Sequence, residues 1–228
     1  MSSALSMANL FELATKEESA QKPDLVVIFG NDDGNDATNF YYDEANDIWV
    51  GCISDNPRIE YFGYLKKMCL TLHNLAQMKK GWLPIHGAFV NIYLKDGTKK
   101  GIMLMGDSGA GKSESIEALK AAAGDMIREV EVVFDDMGTI HLEDGVPYGQ
   151  GTEIGAFIRL DDLDPGTPYR DMDRSIFMAP ENPNSRMIQP AAPYRVVVHN
   201  HKIDLFAYAN NYTNEFGLKK LTVQEVKD

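Results

Sequence analysis

Residues 106–113, Gly106-Asp107-Ser108-Gly109-Ala110-Gly111-Lys112-Ser113, read G-x-x-x-x-G-K-S. Residue types at this spacing suit one kind of chemistry. Glycines let the backbone take positive φ and curl its N–H groups around phosphate oxygens. The Lys112 ammonium reaches the outer phosphates as a point charge, and the Ser113 hydroxyl can hold a magnesium ion. The segment predicts binding of ATP or another nucleoside triphosphate across Gly106, Asp107, Ser108, Gly109, Ala110, Gly111, Lys112 and Ser113. Asp135-Asp136 is the second chemical signal. It follows the apolar run Val130–Phe134, and a carboxylate at a strand end can face a phosphate loop and hold its metal ion.

The elements around these residues must hold them together. Gly101–Met105 is a short apolar run, fit for a buried strand that leads into the loop. Ser115–Ala123 is rich in helix formers, with Gly124 as its stop. The helix N-terminus adds its own attraction for anions. Upstream, Leu65, Met68, Cys69, Leu72, Leu75 and Ala76 share one face of a helix over 61–80, closed by Gly81. Ile85–Leu94 alternates like a strand, and Asp96-Gly97 turns the chain into the loop strand. Residues 138–151 read as a hairpin region, 161–193 as long polar loops, and 196–198 and 203–208 as late strands. Nearer the start, a short amphipathic helix is expected over 4–19 and a strand over 25–29. A hairpin should join 40–42 to 48–50. The Asn- and Asp-rich stretch 30–36 reads as a solvated turn, because its glycine does not fall where a calcium loop needs one. The last residues begin a helix that stops abruptly, as a truncated chain would.

Composition bounds the function classes. The chain has 228 residues, suited to one large domain or a domain with an appendage. A formal net charge of -12 argues against a nucleic-acid partner, since phosphate backbones call for a basic face. No apolar run approaches the ~20 residues that span a bilayer. The start, with Glu12, Glu17 and Glu18, does not resemble a signal peptide, so no membrane partner and a cytoplasmic location are expected. The two cysteines, Cys52 and Cys69, read as free thiols. Periodicity alone gives His86 no role.

Several segments, in order, resemble ATP-dependent phosphoenolpyruvate carboxykinase. Tyr61-Phe62-Gly63-Tyr64-Leu65-Lys66-Lys67 is similar to that family's Tyr-x-Gly-x-Met-Lys-Lys segment. His86 falls at the interval after Lys67 where the family has a metal-binding histidine, and residues 106–113 take the place of its kinase loop. Asp135-Asp136, Gly155-Ala156, Glu181–Arg186, Leu205–Ala209 and Leu221–Glu225 match later segments, so the likeness spans about 61–228. The resemblance implies a mixed α/β phosphate-loop domain with a mostly β core over 61–228 and an N-terminal appendage over 1–60. It implies conversion of oxaloacetate and ATP to phosphoenolpyruvate, carbon dioxide and ADP, with Mg2+ and Mn2+. By the same resemblance Lys67, His86 and Asp136 would bind Mn2+, and Lys112 and Ser113 the phosphates and Mg2+. Arg186 would contact the transferring phosphoryl group, and Tyr61 and Ser108 would lie near the small carboxylate substrate. A lysine ligates a metal only when neutral, so this assignment requires a strongly depressed Lys67 pKa.

This chain departs from that family in length, in the lack of an identifiable substrate-gripping arginine, and in Asp107 and Ser113-Glu114 of the loop. Gly-Asp-Ser-Gly-x-Gly-Lys-Ser-Glu, preceded by His86-Gly87, also resembles HPr kinase/phosphorylase. That resemblance implies a protein or small-molecule kinase, with Asp135 as the base beside the acceptor hydroxyl. The Arg-Gly-Leu-Gly type segment expected downstream is not found. A nucleotide-binding module without turnover is the third reading.

Overall fold

The computed structural model describes residues 7–59, 61–106, 115, 118–119, 124, 126–159, 177–178, 185–209 and 217–227. It is a mixed α+β structure, dominated by strands. Three segments build a small sheet: β1 (Leu25–Asn31), β2 (Thr38–Asp43) and β3 (Ile48–Ser54). β3 lies in the middle, parallel to β1 and antiparallel to β2, so the hairpin expected around 43–47 is present, with Tyr42 opposite Trp49. A long helix, α1 (Phe62–Lys79), covers one face of this sheet. Met68, Leu72 and Leu65 pack on Ile53, Leu25, Val27 and Phe29 in one apolar cluster. Gly51 permits the close approach, since a Cβ there would lie 2.4 Å from the Met68 sulfur.

The larger sheet has six strands in the order β11-β7-β6-β4-β5-β12. These are β4 (Leu83–Leu94), β5 (Lys99–Met105), β6 (Ile127–Glu143), β7 (Val146–Gly151), β11 (His201–Lys202) and β12 (Leu205–Tyr208). One face buries Phe89, Met103, Val133 and Phe134; the other buries Ala88, Val90 and Ile92, with Leu119 packed against them. A third sheet joins β8 (Gly155–Arg159), β9 (Phe177–Met178) and β10 (Ser185–Pro190). Two short helices, α2 (Tyr194–Val197) and α3 (Val223–Lys227), follow, and Ser115, Ala118 and Leu119 are also helical among the described residues. No helix among the described residues is long and apolar enough to cross a membrane.

Four expectations need correction. Within its described part, the helix expected over 4–19 is present only at Met7, whose carbonyl accepts the Leu10 and Phe11 N–H groups, and as a separate 3-10 turn at Glu18–Ala20. Its apolar residues serve as a tether instead: Leu10 is fully buried against Phe62 and Ile188, and its carbonyl accepts the Ile154 N–H at 2.7 Å. The strand expected at 196–198 is the helix α2. Pro193 starts it, and Val196 and Val197 bury their side chains, so packing outweighs the β preference of valine. The described part of 161–193 holds β9 and β10 as well as loop. Finally, Asp135-Asp136 lies inside β6, not at its end.

Candidate active site

β5 ends at Met105, and the chain enters the phosphate-loop motif through Gly106, whose φ is +156°. Residues 107–114, hence Asp107, Ser108, Gly109, Ala110, Gly111, Lys112 and Ser113, lie outside the described residues. The strands beside the loop's origin are well defined. Met105 pairs with Gly87 of β4, and Gly87 pairs on its other side with Asp136 of β6. One row of the sheet therefore joins the mouth of the loop to the acid pair. With strands about 4.8 Å apart, Asp136 lies two strands, on the order of 10 Å, from the end of β5. Asp135 stands opposite Ala88 in the next row, and His86 opposite Met137.

Asp136 has a φ of +139° within the strand. Among the described residues, the other non-glycine residues at positive φ, Asp47 and Asp144, sit near 50° in ordinary turns. A side-chain-bearing residue held in so sparsely populated a region must be fixed by its partners. The Lys66 ammonium donates to Asp136 Oδ2 at 3.0 Å, and His86 Nε2 lies 3.2 Å from Asp136 Oδ1. Lys66 also lies 3.0 Å from Glu153 Oε2. Lys66 and Glu153 are both 6% exposed, whereas the His86 and Asp136 side chains are about half exposed, at 47% and 45%. The cluster thus has a buried base, Lys66 and Glu153, and a solvent-facing rim, His86 and Asp136.

Each partner is anchored by its element. Lys66 lies on α1 one turn after Phe62, on the face that packs against Phe157, and its ammonium stands 5.9 Å from the Phe157 ring. Glu153 follows β7 in a short connection pinned on both sides. Thr152 Oγ1 donates to the Met137 carbonyl, Ile154 N–H to Leu10, and the Ala191 and Ala192 N–H groups to the Ile154 carbonyl. Tyr61, at the N-cap of α1, lies with its ring 6.4 Å from that of Phe157, close to the cluster.

Electrostatics follow from this burial. Desolvation works to lower the Lys66 pKa, but the charges of Glu153 and Asp136 outweigh it and raise the value above its usual 10.5. Lys66 is therefore an ammonium at any physiological pH. Burial pushes the Glu153 carboxyl up to about 7 despite the opposing charge of Lys66. Elsewhere, burial raises the Cys69 thiol to about 11, which makes it an inert core residue.

The sequence-derived residues divide accordingly. His86 and Asp136 come together, with Asp135 beside them. Lys67 does not join them: it is exposed on α1, its ammonium 5.6 Å from the Tyr64 ring. Its neighbour Lys66 takes the inward position, because the 3.6-residue helical period sets consecutive residues about 100° apart. Arg186 pairs through its backbone with Arg159 and Phe177 on β10. Sequence reasoning missed Lys66 and Glu153 as site residues. The spacing Phe62, Lys66, Leu70 was the available signal for Lys66, since it marks a second inward stripe on the helix. Glu153 carried no signal of its own.

A metal ion bound by His86 and Asp136 meets an obstacle in this geometry. Imidazole and carboxylate are suitable donors. Both Asp136 oxygens are already engaged, one by the Lys66 ammonium. A charged lysine has no lone pair to offer a cation. Among the described residues, no three His, Cys, Asp or Glu side chains are grouped to hold a metal. The Mn2+ set of Lys67, His86 and Asp136 does not fit.

No family model matches the chain, and no curated protein matches it. One solved structure that resembles it is the Hpr(Ser) kinase/phosphatase from Coxiella burnetii. The two share 16% identity at a TM-score of 0.27, over 55% of this chain and 63% of that one. The chain thus spans less than two thirds of that structure's length.

Proposed function

We propose that the chain is a nucleotide-dependent phosphotransferase. It binds a nucleoside triphosphate such as ATP over residues 106–113 and passes the terminal phosphoryl group to a hydroxyl on a protein or small molecule. One observation carries this reading: the row Met105–Gly87–Asp136 sets the mouth of a complete phosphate-loop motif beside an acid pair and a histidine. Loop amides and Lys112 hold the phosphates. Ser113 would meet the Mg2+ that accompanies a triphosphate and spreads its charge. Asp135 accepts the proton of the acceptor hydroxyl, and Arg186 neutralises charge on the phosphoryl oxygens. Asp136, fixed by Lys66 and His86, keeps the rim acidic; Tyr61 and Ser108 border the acceptor.

A hydroxyl acceptor is preferred to oxaloacetate for a physical reason. Carboxykinase chemistry, as the resemblance implies it, uses a neutral lysine as a metal ligand. The lysine beside Asp136 is instead paired with two carboxylates. Incubation with γ-labelled ATP and Mg2+ tests the choice. The expected result is label on an acceptor hydroxyl, lost in Asp135→Asn and in Lys112→Ala. Label recovered as phosphoenolpyruvate when oxaloacetate is supplied would move the assignment to a carboxykinase. Nucleotide binding with no transfer to either class would reduce the chain to a binding module.

A further inference from the structure

We propose that His201 is an acid-sensitive latch that holds the six-stranded sheet closed on itself. The latch does not depend on phosphoryl transfer. Residues 201–208 join the two edges of that sheet. His201 and Lys202 pair with Gly149 and Tyr148 of β7, and Leu205–Tyr208 pairs with β5. Ile203 and Asp204 make the changeover: the Ile203 N–H donates to the Pro147 carbonyl and the Asp204 N–H to the Gly101 carbonyl, each at 2.9 Å. A Cβ on Gly101 would lie 2.0 Å from the Lys202 carbonyl oxygen, so β5 meets the closing segment backbone to backbone.

At this crossing His201 is 4% exposed and joins a polar chain through the fully buried Asn91. The chemistry of the partners fixes its direction. The Val196 carbonyl can only accept, so His201 Nε2, 2.7 Å away, carries a hydrogen. A neutral imidazole has one such hydrogen, which leaves a lone pair on Nδ1. Asn91 Nδ2 lies 2.8 Å from that lone pair and 2.9 Å from Glu131 Oε2, and donates to both. The Tyr93 hydroxyl donates to the same Glu131 oxygen at 3.0 Å. A proton on Nδ1 would confront the Asn91 amide hydrogens. Turning the amide over offers Oδ1 to that proton but sets Oδ1 against the Glu131 carboxylate, acceptor against acceptor. No orientation of Asn91 serves a protonated His201 and an ionised Glu131 together. The groups around the ring act the same way. Burial holds the His201 pKa below its usual 6.5, and the charges of Lys99 on β5 and His199 add to this, against the Val196 carbonyl and the charge of Glu131 on β6. β7 sets Gly149 opposite. Burial would raise the Glu131 carboxyl, but the bonds from Asn91 and Tyr93 outweigh it and keep the value low, so Glu131 stays ionised. The closed segment therefore refuses a proton that the open one accepts. Closure is held fully above about pH 6.5 and weakens as pH falls below it.

Nitrogen-15 NMR of the His201 ring and amide hydrogen exchange of the full chain test this without any activity. The ring should carry its hydrogen on Nε2 at neutral pH. Protection of the Ile203 and Asp204 amides, relative to those of β4, should fall about tenfold or more between about pH 7.5 and about pH 5. In His201→Gln, which cannot take up a proton, that fall should vanish. In Glu131→Gln it should largely disappear, because the new amide can donate to the turned Asn91 Oδ1. A neutral ring with its hydrogen on Nδ1 would overturn the proposal. So would protection that falls equally in the wild type and in folded His201→Gln; if that variant does not fold, the same comparison with Glu131→Gln decides. Failure here leaves the labelled-phosphate experiment unaffected, so the two conclusions can fall separately.

Discussion

Removing the Lys66 ammonium leaves Glu153 buried without a counter-charge. Glu153, already raised to about 7, then takes up a proton rather than stay charged, so Lys66→Ala should lower the urea-unfolding free energy at neutral pH by about 1–3 kcal/mol, the cost of a buried polar group left without its partner. Lys67→Ala, on the exposed side of the helix, should stay within about 0.5 kcal/mol of the wild type. Equal losses from the two would show that Lys66 is not the inward lysine. Glu153 makes a separate prediction with a definite sign. Its folded carboxyl is raised from 4.5 to about 7. Between those values the folded chain holds a proton that the unfolded chain has released. The stability contribution is therefore full below about pH 4.5 and declines as pH rises toward 7, by roughly 3 kcal/mol. In Glu153→Gln that decline should vanish, as denaturation at about pH 5 and about pH 7.5 would reveal. A slope identical to that of the wild type would place the titrating group elsewhere.

At the level of elements, the junction of β4 and β5 matters most, since it holds the mouth of the loop against the acid pair. Gly87 sits on that row, and a Cβ there would lie 2.6 Å from the Leu104 carbonyl oxygen. Backbone cannot yield as a side chain can, so Gly87→Ala must push β4 from β5. It should cost about 1–3 kcal/mol, read as a lower midpoint in thermal unfolding; an unchanged midpoint would mean that the strands are not so closely apposed. The strands of the small sheet, with β4 and β5, were legible in the sequence, whereas β9 and β10 fell in a stretch read as loop. Apolar runs gave β1 and β5, alternation gave β4, and aromatic clusters gave the β2–β3 hairpin. The helical stripe through Leu65, Met68 and Leu72 gave α1. Pairing partners were not legible. The parallel union of β1 with β3 and the row through Met105, Gly87 and Asp136 depend on long-range contacts that local patterns do not encode. The same limit explains α2, where two buried valines override their own propensity, and Leu10, whose helical spacing was spent on tethering.

For the whole molecule, the phosphate-loop motif and the acid pair are legible in the sequence as motifs, whereas the neighbours that the fold gives Asp136 are not. His86 and Asp136 lie far apart in the chain yet meet at 3.2 Å because β4 and β6 are neighbours. The choice of Lys66 over Lys67 turned on a rotation of about 100° around a helix axis, which a motif match does not resolve. Glu153 became visible only once β7, the Leu10 tether and α1 had converged on it. The molecule thus brings a motif-bearing strand end, His86 and Asp136 to neighbouring positions of a six-stranded sheet, with the buried Lys66–Glu153 pair against Asp136. That arrangement is the basis for expecting a bound polyphosphate. The most direct test is calorimetric titration of Mg2+–ATP into the wild type and into a folded Lys112→Ala variant. The account predicts binding to the wild type and at least a tenfold loss in the variant. Equal dissociation constants, or no binding by the wild type, would contradict it.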